Sequence, residues 1–202
     1  MTVEADAASQ SRQVPSLARI ITELTSPALV NIGLPLVIGA HAKGSIWWSF
    51  SVSLCAGVVP FTFILLGIRA ARLSDHHVTV RDERPGVMAF ILSSLIVGLA
   101  IQIIWNAPRP IVALTASMLT TLFVLAVITI ARRFKVSVHA AVAAGSVVML
   151  VETFGAWALL LTTLVPAVMW SRVQVEEHNV VQVYLGAAVG ALVAGLTFGL
   201  IA

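Results

Sequence analysis

Three short stretches hold the residues that could do chemistry: His76-His77 with Arg81 and Arg84, Lys135 with Ser137 and His139, and Arg172 with His178. Arginine beside histidine suits a phosphate. Guanidinium forks grip phosphate oxygens in pairs and stay charged at any working pH. An imidazole, whose pKa lies near neutrality, can attack phosphorus or carry a proton. His139 also stands where a helix should open, and the free N–H groups of a helix start favour an anion. His76 and His77 are neighbours, so on any regular element they point different ways, and one of them is expected to face a pocket.

The elements that must position these residues belong in a membrane. The chain has 202 residues, 59% of them hydrophobic and 10% charged, with mean hydropathy +1.00. A soluble domain carries about 25% charged residues. The formal charge of +3 forms no long basic stripe, which argues against a nucleic-acid partner. The one cysteine, Cys55, lies in an apolar run and reads as a packed thiol, so disulfides are out.

Charge is absent over long intervals. None lies between Gly44 and Ile68 or after Glu177, only Arg109 between Val87 and Ala131, and only Glu152 between Val138 and Ser171. By contrast, the sixteen residues from Arg69 to Arg84 hold four arginines, three acids and two histidines. The fold class expected is all-α: a polytopic transmembrane bundle of six or seven spans, at ~20 residues per crossing. Residues 1–15 are polar and small and read as a disordered cytosolic start; 16–202 form one transmembrane domain.

The weakest span is 26–42, which contains Asn31 and Pro35 and could instead re-enter or lie in the interface. Trp47 and Trp48 sit where an interfacial belt belongs, before a clear span ending near Ile68. Spans over 87–105 and 111–131 should form a hairpin about the Asn106–Pro110 turn. From His139 to Trp170 a single helix would be ~45 Å long, so a pair broken near Glu152–Gly155 is expected. A buried glutamate costs about 2–4 kcal/mol at the bilayer centre and little at a turn. In the last span, about 181–201, the pairs Gly186/Gly190 and Gly195/Gly199 permit close helix packing. This count brings the 69–86, 132–139 and 171–178 loops to one face, around one pocket.

The residues resemble a family at this point. Ser171-Arg172, five residues, then His178 matches the S-R-x5-H motif of the type-2 phosphatidic acid phosphatase (PAP2) superfamily. Lys135-Val-Ser-Val-His139 resembles a variant of its P-S-G-H motif, and Arg84-Pro85 the end of its K-x6-R-P motif. The resemblance covers residues about 69–190. It implies a metal-free, cofactor-free phosphatase acting on a lipid phosphate or pyrophosphate. His178 would be the nucleophile that forms a phosphohistidine, and His139 the general acid. Arg172 and Arg84 would hold the phosphoryl oxygens, with Ser137 adding a hydroxyl and a backbone N–H. The family lysine falls on His77, so Arg81 or Lys135 would supply its charge. Val136 and Val138 replace the proline and glycine. Gln182 stands where an orienting aspartate is usual; it could fix the ring but brings no negative charge. A lower nucleophile pKa is therefore expected, or help from Asp75, Glu176 or Glu177.

Two other classes compete. A non-catalytic membrane protein could use the same scaffold to bind anionic lipid. A metal-dependent prenyl or phosphoalcohol transferase could draw ligands from Asp75, His76, His77, Asp82 and Glu83, but the other two loops offer no aspartate. The partners expected are the bilayer and a membrane lipid phosphate, with a homo-oligomer left open. The short-loop cations gather on the site-bearing face, which places that face in the cytoplasm of a cell-membrane protein.

Overall fold

The computed structural model describes residues 14–42, 46–78, 80–132 and 134–202; the Arg81 side chain is outside this set. Most of the segment expected to be disordered, residues 1–13, and Lys43 also lie outside the described residues. Among the described residues the regular structure is entirely helical.

Helix α1 spans Ser16–Leu24 and α2 spans Pro27–His41, with a bend of 48° at the break between them. Pro27 opens α2, where its missing N–H removes no helical bond. Helix α3 covers Ile46–Arg69, α4 Arg84–Ile104, α5 Arg109–Ala131, α6 Val138–Phe154, α7 Ala156–Gln174 and α8 Val180–Ile201. Five of these, α3, α4, α5, α7 and α8, are long and apolar enough to cross a membrane. The pair α1–α2 reaches that standard only together, and α6 is apolar but has 17 residues.

The expected break in the 139–170 stretch is present. It falls at Gly155, whose φ of +86° a side chain would resist. The hairpin of α4 and α5 turns on Asn106, at φ +53°, a conformation asparagine tolerates better than most residues. Exposed apolar side chains line the outside of the bundle, including Leu160, Leu192, Leu196 and Leu200, as a lipid-facing surface requires. Trp47, Trp105 and Trp157, all exposed, stand at helix ends remote from the charged loops.

Polar side chains join the helices inside. The completely buried Gln102 donates to Ser51 Oγ at 3.2 Å, and Thr120 and Thr197 hydroxyls meet at 3.0 Å. A widened turn at Leu54–Val58 frees the Cys55 carbonyl, which accepts from Ser94 Oγ at 2.7 Å. Cys55 itself is buried, as expected of a packed thiol.

Two helices run the thickness of the bundle from the charged loops. The start of α2 lies beside Glu23 on the charged side, whereas His41 at its end packs on Phe154, at the far end of α6, with ring centroids 4.7 Å apart. Helices α6 and α8 approach most closely where α8 carries glycine. A Cβ on Gly186 would stand 2.3 Å from the Ser137 carbonyl oxygen, and one on Gly190 2.0 Å from that of Ala141. These two helices touch backbone to backbone, and the contact sets the position of Ser137 and His139.

Candidate functional site

A cavity of about 410 Å³ opens among α1 to α8 and the first and third charged loops. Most of its wall is apolar, with Ile32, Phe61, Ile91, Met118 and Leu122 among the lining residues. One end is polar and is formed by Glu23, His76, His77, Arg84, His139, Arg172 and His178. The three stretches far apart in sequence therefore meet at one chamber, contiguous with space for an alkyl or prenyl chain.

The ionisable groups at this end are withdrawn from solvent: Arg172 is 1% exposed, His139 4%, and Arg84 and His178 6% each. Burying charge is costly unless it is paired. Arg172 forms an ion pair with Glu177, the half-buried acid five residues on. Arg84 donates from Nε to the Val78 carbonyl at 3.0 Å and from Nη1 to the Val136 carbonyl at 3.4 Å. This one guanidinium thus ties the first loop to the second. At this end three buried atoms have no hydrogen-bond partner among the described residues, His139 Nε2 and Nε and Nη1 of Arg172; elsewhere in the bundle the same holds for Gln102 Oε1 and for the Thr121 and Thr129 hydroxyls. Orphaned groups of this kind are rare in folded chains and mark a place for a ligand.

His178 sits in the loop between α7 and α8, its backbone N–H donating to the Arg172 carbonyl at 3.3 Å. Its Nδ1 lies 3.0 Å from Gln182 Oε1. That oxygen also accepts from the Asn179 backbone N–H at 3.2 Å, while Asn179 Oδ1 accepts from the Gln182 N–H at 3.0 Å, a reciprocal cap on α8. Because the cap presents the amide oxygen to the ring, Nδ1 must carry the proton, and Nε2 keeps its lone pair. Burial above all pushes the His178 pKa down to about 3; the hydrogen bond to Gln182 opposes it, and the positive charges of Arg172, Arg84 and Lys135 lower it further. The direction is the one expected, but desolvation is its cause, and Gln182 itself acts the other way.

Other residues differ from expectation. The Ser137 N–H is taken by the Gln182 carbonyl at 3.2 Å, and its hydroxyl oxygen accepts from the Ala140 N–H at 3.4 Å, capping α6. Its backbone N–H is therefore not free for a phosphate cradle, and Ser137 does not line the cavity. Lys135, half-buried beside the polar end, also lies off the cavity wall, its pKa lowered by burial and then by Arg84. Arg81 begins a single helical turn, Arg81–Glu83, and its side chain lies outside the described residues. Glu177 serves Arg172, and an Asp75 Oδ1 accepts from the His77 N–H at 2.7 Å.

Both adjacent histidines line the cavity, where one was expected to. Residues 75–78 are not a regular element: Val78 has φ +51°, an outlier for a β-branched residue. The turn brings the two rings to 4.0 Å and His77 to 5.1 Å from His139. Val78 is held there by burial against Ile64 and Val87 and by the bond from Arg84. Burial, then His76, lowers the His77 pKa.

One component went unseen in the sequence. Glu23 on α1 reaches His76 and His77 across more than fifty positions, and Thr22 donates to Ser171 Oγ at 3.2 Å. Nothing adjacent to Glu23 forms a motif; its one signal was a lone acid at the end of an amphipathic stretch. Comparison of the chain with family models, with curated proteins and with solved structures finds no match.

Proposed function

We propose that the chain is a membrane-embedded phosphatase that hydrolyses a lipid phosphate or pyrophosphate through a phosphohistidine, in the manner of the PAP2 superfamily it resembles. The observation that carries this reading is the junction of an apolar cavity with buried arginine and histidine atoms that lack partners. The charged head would take the polar end and the chain the apolar one. Candidate substrates are polyprenyl phosphates, phosphatidic acid and phosphatidylglycerol phosphate.

In the proposed reaction His178 Nε2 attacks phosphorus as the bond to the leaving oxygen breaks. His139 gives its proton to that oxygen. Arg172 and Arg84 hold the equatorial oxygens and stabilise the charge that gathers on them. Water then attacks the phosphohistidine, with His139 taking the water's proton, and inorganic phosphate leaves. Gln182 orients the ring. Lys135 and His77 add positive or hydrogen-bonding character around the phosphate.

We further assign seven crossings, with α2 and α6 as the short ones, and a cytoplasmic site. The site-bearing face holds Arg69, Arg72, Arg84, Arg132 and Lys135, against Arg109 on the other. A homo-oligomer is compatible with this arrangement.

The test is phosphate release by purified protein in detergent with EDTA, from a panel of lipid phosphates, beside His178→Ala. The expected outcome is release that survives EDTA, is inhibited by vanadate and vanishes in the variant. Release by His178→Ala equal to that of wild type would end the phosphohistidine route. A folded wild type that binds these lipids and releases nothing would be a lipid-binding scaffold.

A further inference from the structure

The mouth of the cavity carries a second cluster, from which the proposed phosphoryl transfer draws only on His77. His76 Nε2 lies 3.2 Å from Glu23 Oε2, and His77 Nε2 lies 3.1 Å from Glu23 Oε1. One carboxylate therefore faces two imidazole nitrogens, each oxygen toward one ring, and the three ligand atoms lie within 4.8 Å of one another. Ligands ~2.0–2.2 Å from a common tetrahedral ion stand about 3.3 Å apart. Each ring nitrogen already stands about that far from one of the two carboxylate oxygens, and one ligand atom from each residue can be chosen with all three within 4.8 Å.

We propose that Glu23, His76 and His77 form a transition-metal site of the zinc class at the entrance to the cavity. Two imidazoles and a carboxylate are a borderline donor set that suits Zn²⁺; Mg²⁺ prefers oxygen. The three ligands leave a coordination position open, and Glu23 and His76 are exposed enough for an ion to enter. Around them the frame is fixed. The Asp75 carboxylate accepts from the His77 N–H, and Glu83 holds Ser74 through its backbone N–H and its hydroxyl, the latter at 2.6 Å. Glu83 is thereby engaged elsewhere, and the third ligand comes from α1. Bound metal ties α1 to the charged loop across the mouth. The site adjoins His139, His178 and the two arginines but takes no ligand from them, so it stands whether or not the chain is a phosphatase.

The experiment uses full-length, tag-free protein in detergent, stripped with chelator and titrated with Zn²⁺ against a chromophoric indicator. Wild type should take one Zn²⁺ per chain, excess Mg²⁺ should not displace it, and zinc should raise the melting temperature. Glu23→Gln and His76→Asn should each weaken binding about tenfold or more and lose the thermal shift. Asp82→Asn, an acid of the same loop outside the cluster, should bind like wild type. Melting of each metal-free variant checks its fold, and exposed His76 serves if Glu23→Gln fails to fold. No uptake by wild type, or equal uptake by wild type and both ligand variants, overturns the proposal and leaves a pair of hydrogen bonds.

Discussion

The same sequence device occurs at both ends of α8 and does different work at each. At the site end, Gly186 and Gly190 lie against the main chain of α6, so an added Cβ meets the carbonyl oxygens of Ser137 and Ala141. At the far end, Gly195 and Gly199 face side chains of the same helix: Val148, and the carboxylate of Glu152 at 3.3–3.6 Å. A carbonyl in a helix cannot move aside, whereas a side chain can turn. Equal spacing of small residues thus permits close approach in both places but fixes position in only one. The rigid contact lies directly beneath Ser137, His139 and Gln182, where small displacements would matter.

The comparison is broken most severely at Gly190. Gly190→Val should prevent α6 and α8 from docking, with loss of monodisperse protein by size-exclusion chromatography in detergent. Gly190→Ala should cost about 1–3 kcal/mol or more and lower the melting temperature. Next comes the charge buried at the same end. Glu177→Ala leaves Arg172 unpaired at 1% exposure, and thermal melts should show a loss of about 3–5 kcal/mol.

Acid should act on this end too. His178 in the folded chain titrates at about 3 against an ordinary 6.5, so below 6.5 the unfolded chain gains a proton that the folded chain refuses. The His178 contribution is intact above about 6.5 and is lost toward 3, at about 1.4 kcal/mol per pH unit where the slope is full. His178→Gln should flatten the acid limb of melting temperature against pH. Gln182→Leu removes the oxygen that holds Nδ1, and kcat for phosphate release should drop about 10–100-fold with KM little changed. The smallest effect belongs to the far end: Gly199→Ala should shift stability by less than about 1 kcal/mol, since the Glu152 side chain can give way.

Much of this was readable in the chain because membrane helices announce themselves by the absence of charge. The spans from Ile46 to Ile201 follow the uncharged intervals, and the break near Glu152 follows from the cost of a carboxylate in hydrocarbon. Alternation of spans then puts the three charged loops on one side. What escaped was everything decided by turns and by distant contacts. Two neighbouring histidines share a direction only because Val78 adopts a left-handed backbone. Ser137 was read as a phosphate ligand because motif spacing does not say that its N–H is claimed by Gln182. Glu23 joined the histidines through the bend between α1 and α2, and no local pattern encodes that bend's direction.

The Gln182 amide oxygen, shared between the Asn179 N–H and the His178 ring, makes helix start and imidazole one cooperative unit. The first turn of α8 cannot fray without releasing the ring, and the ring cannot flip without loosening that turn. Opening of the 175–179 loop would then release the imidazole from its orientation for as long as the loop stays open.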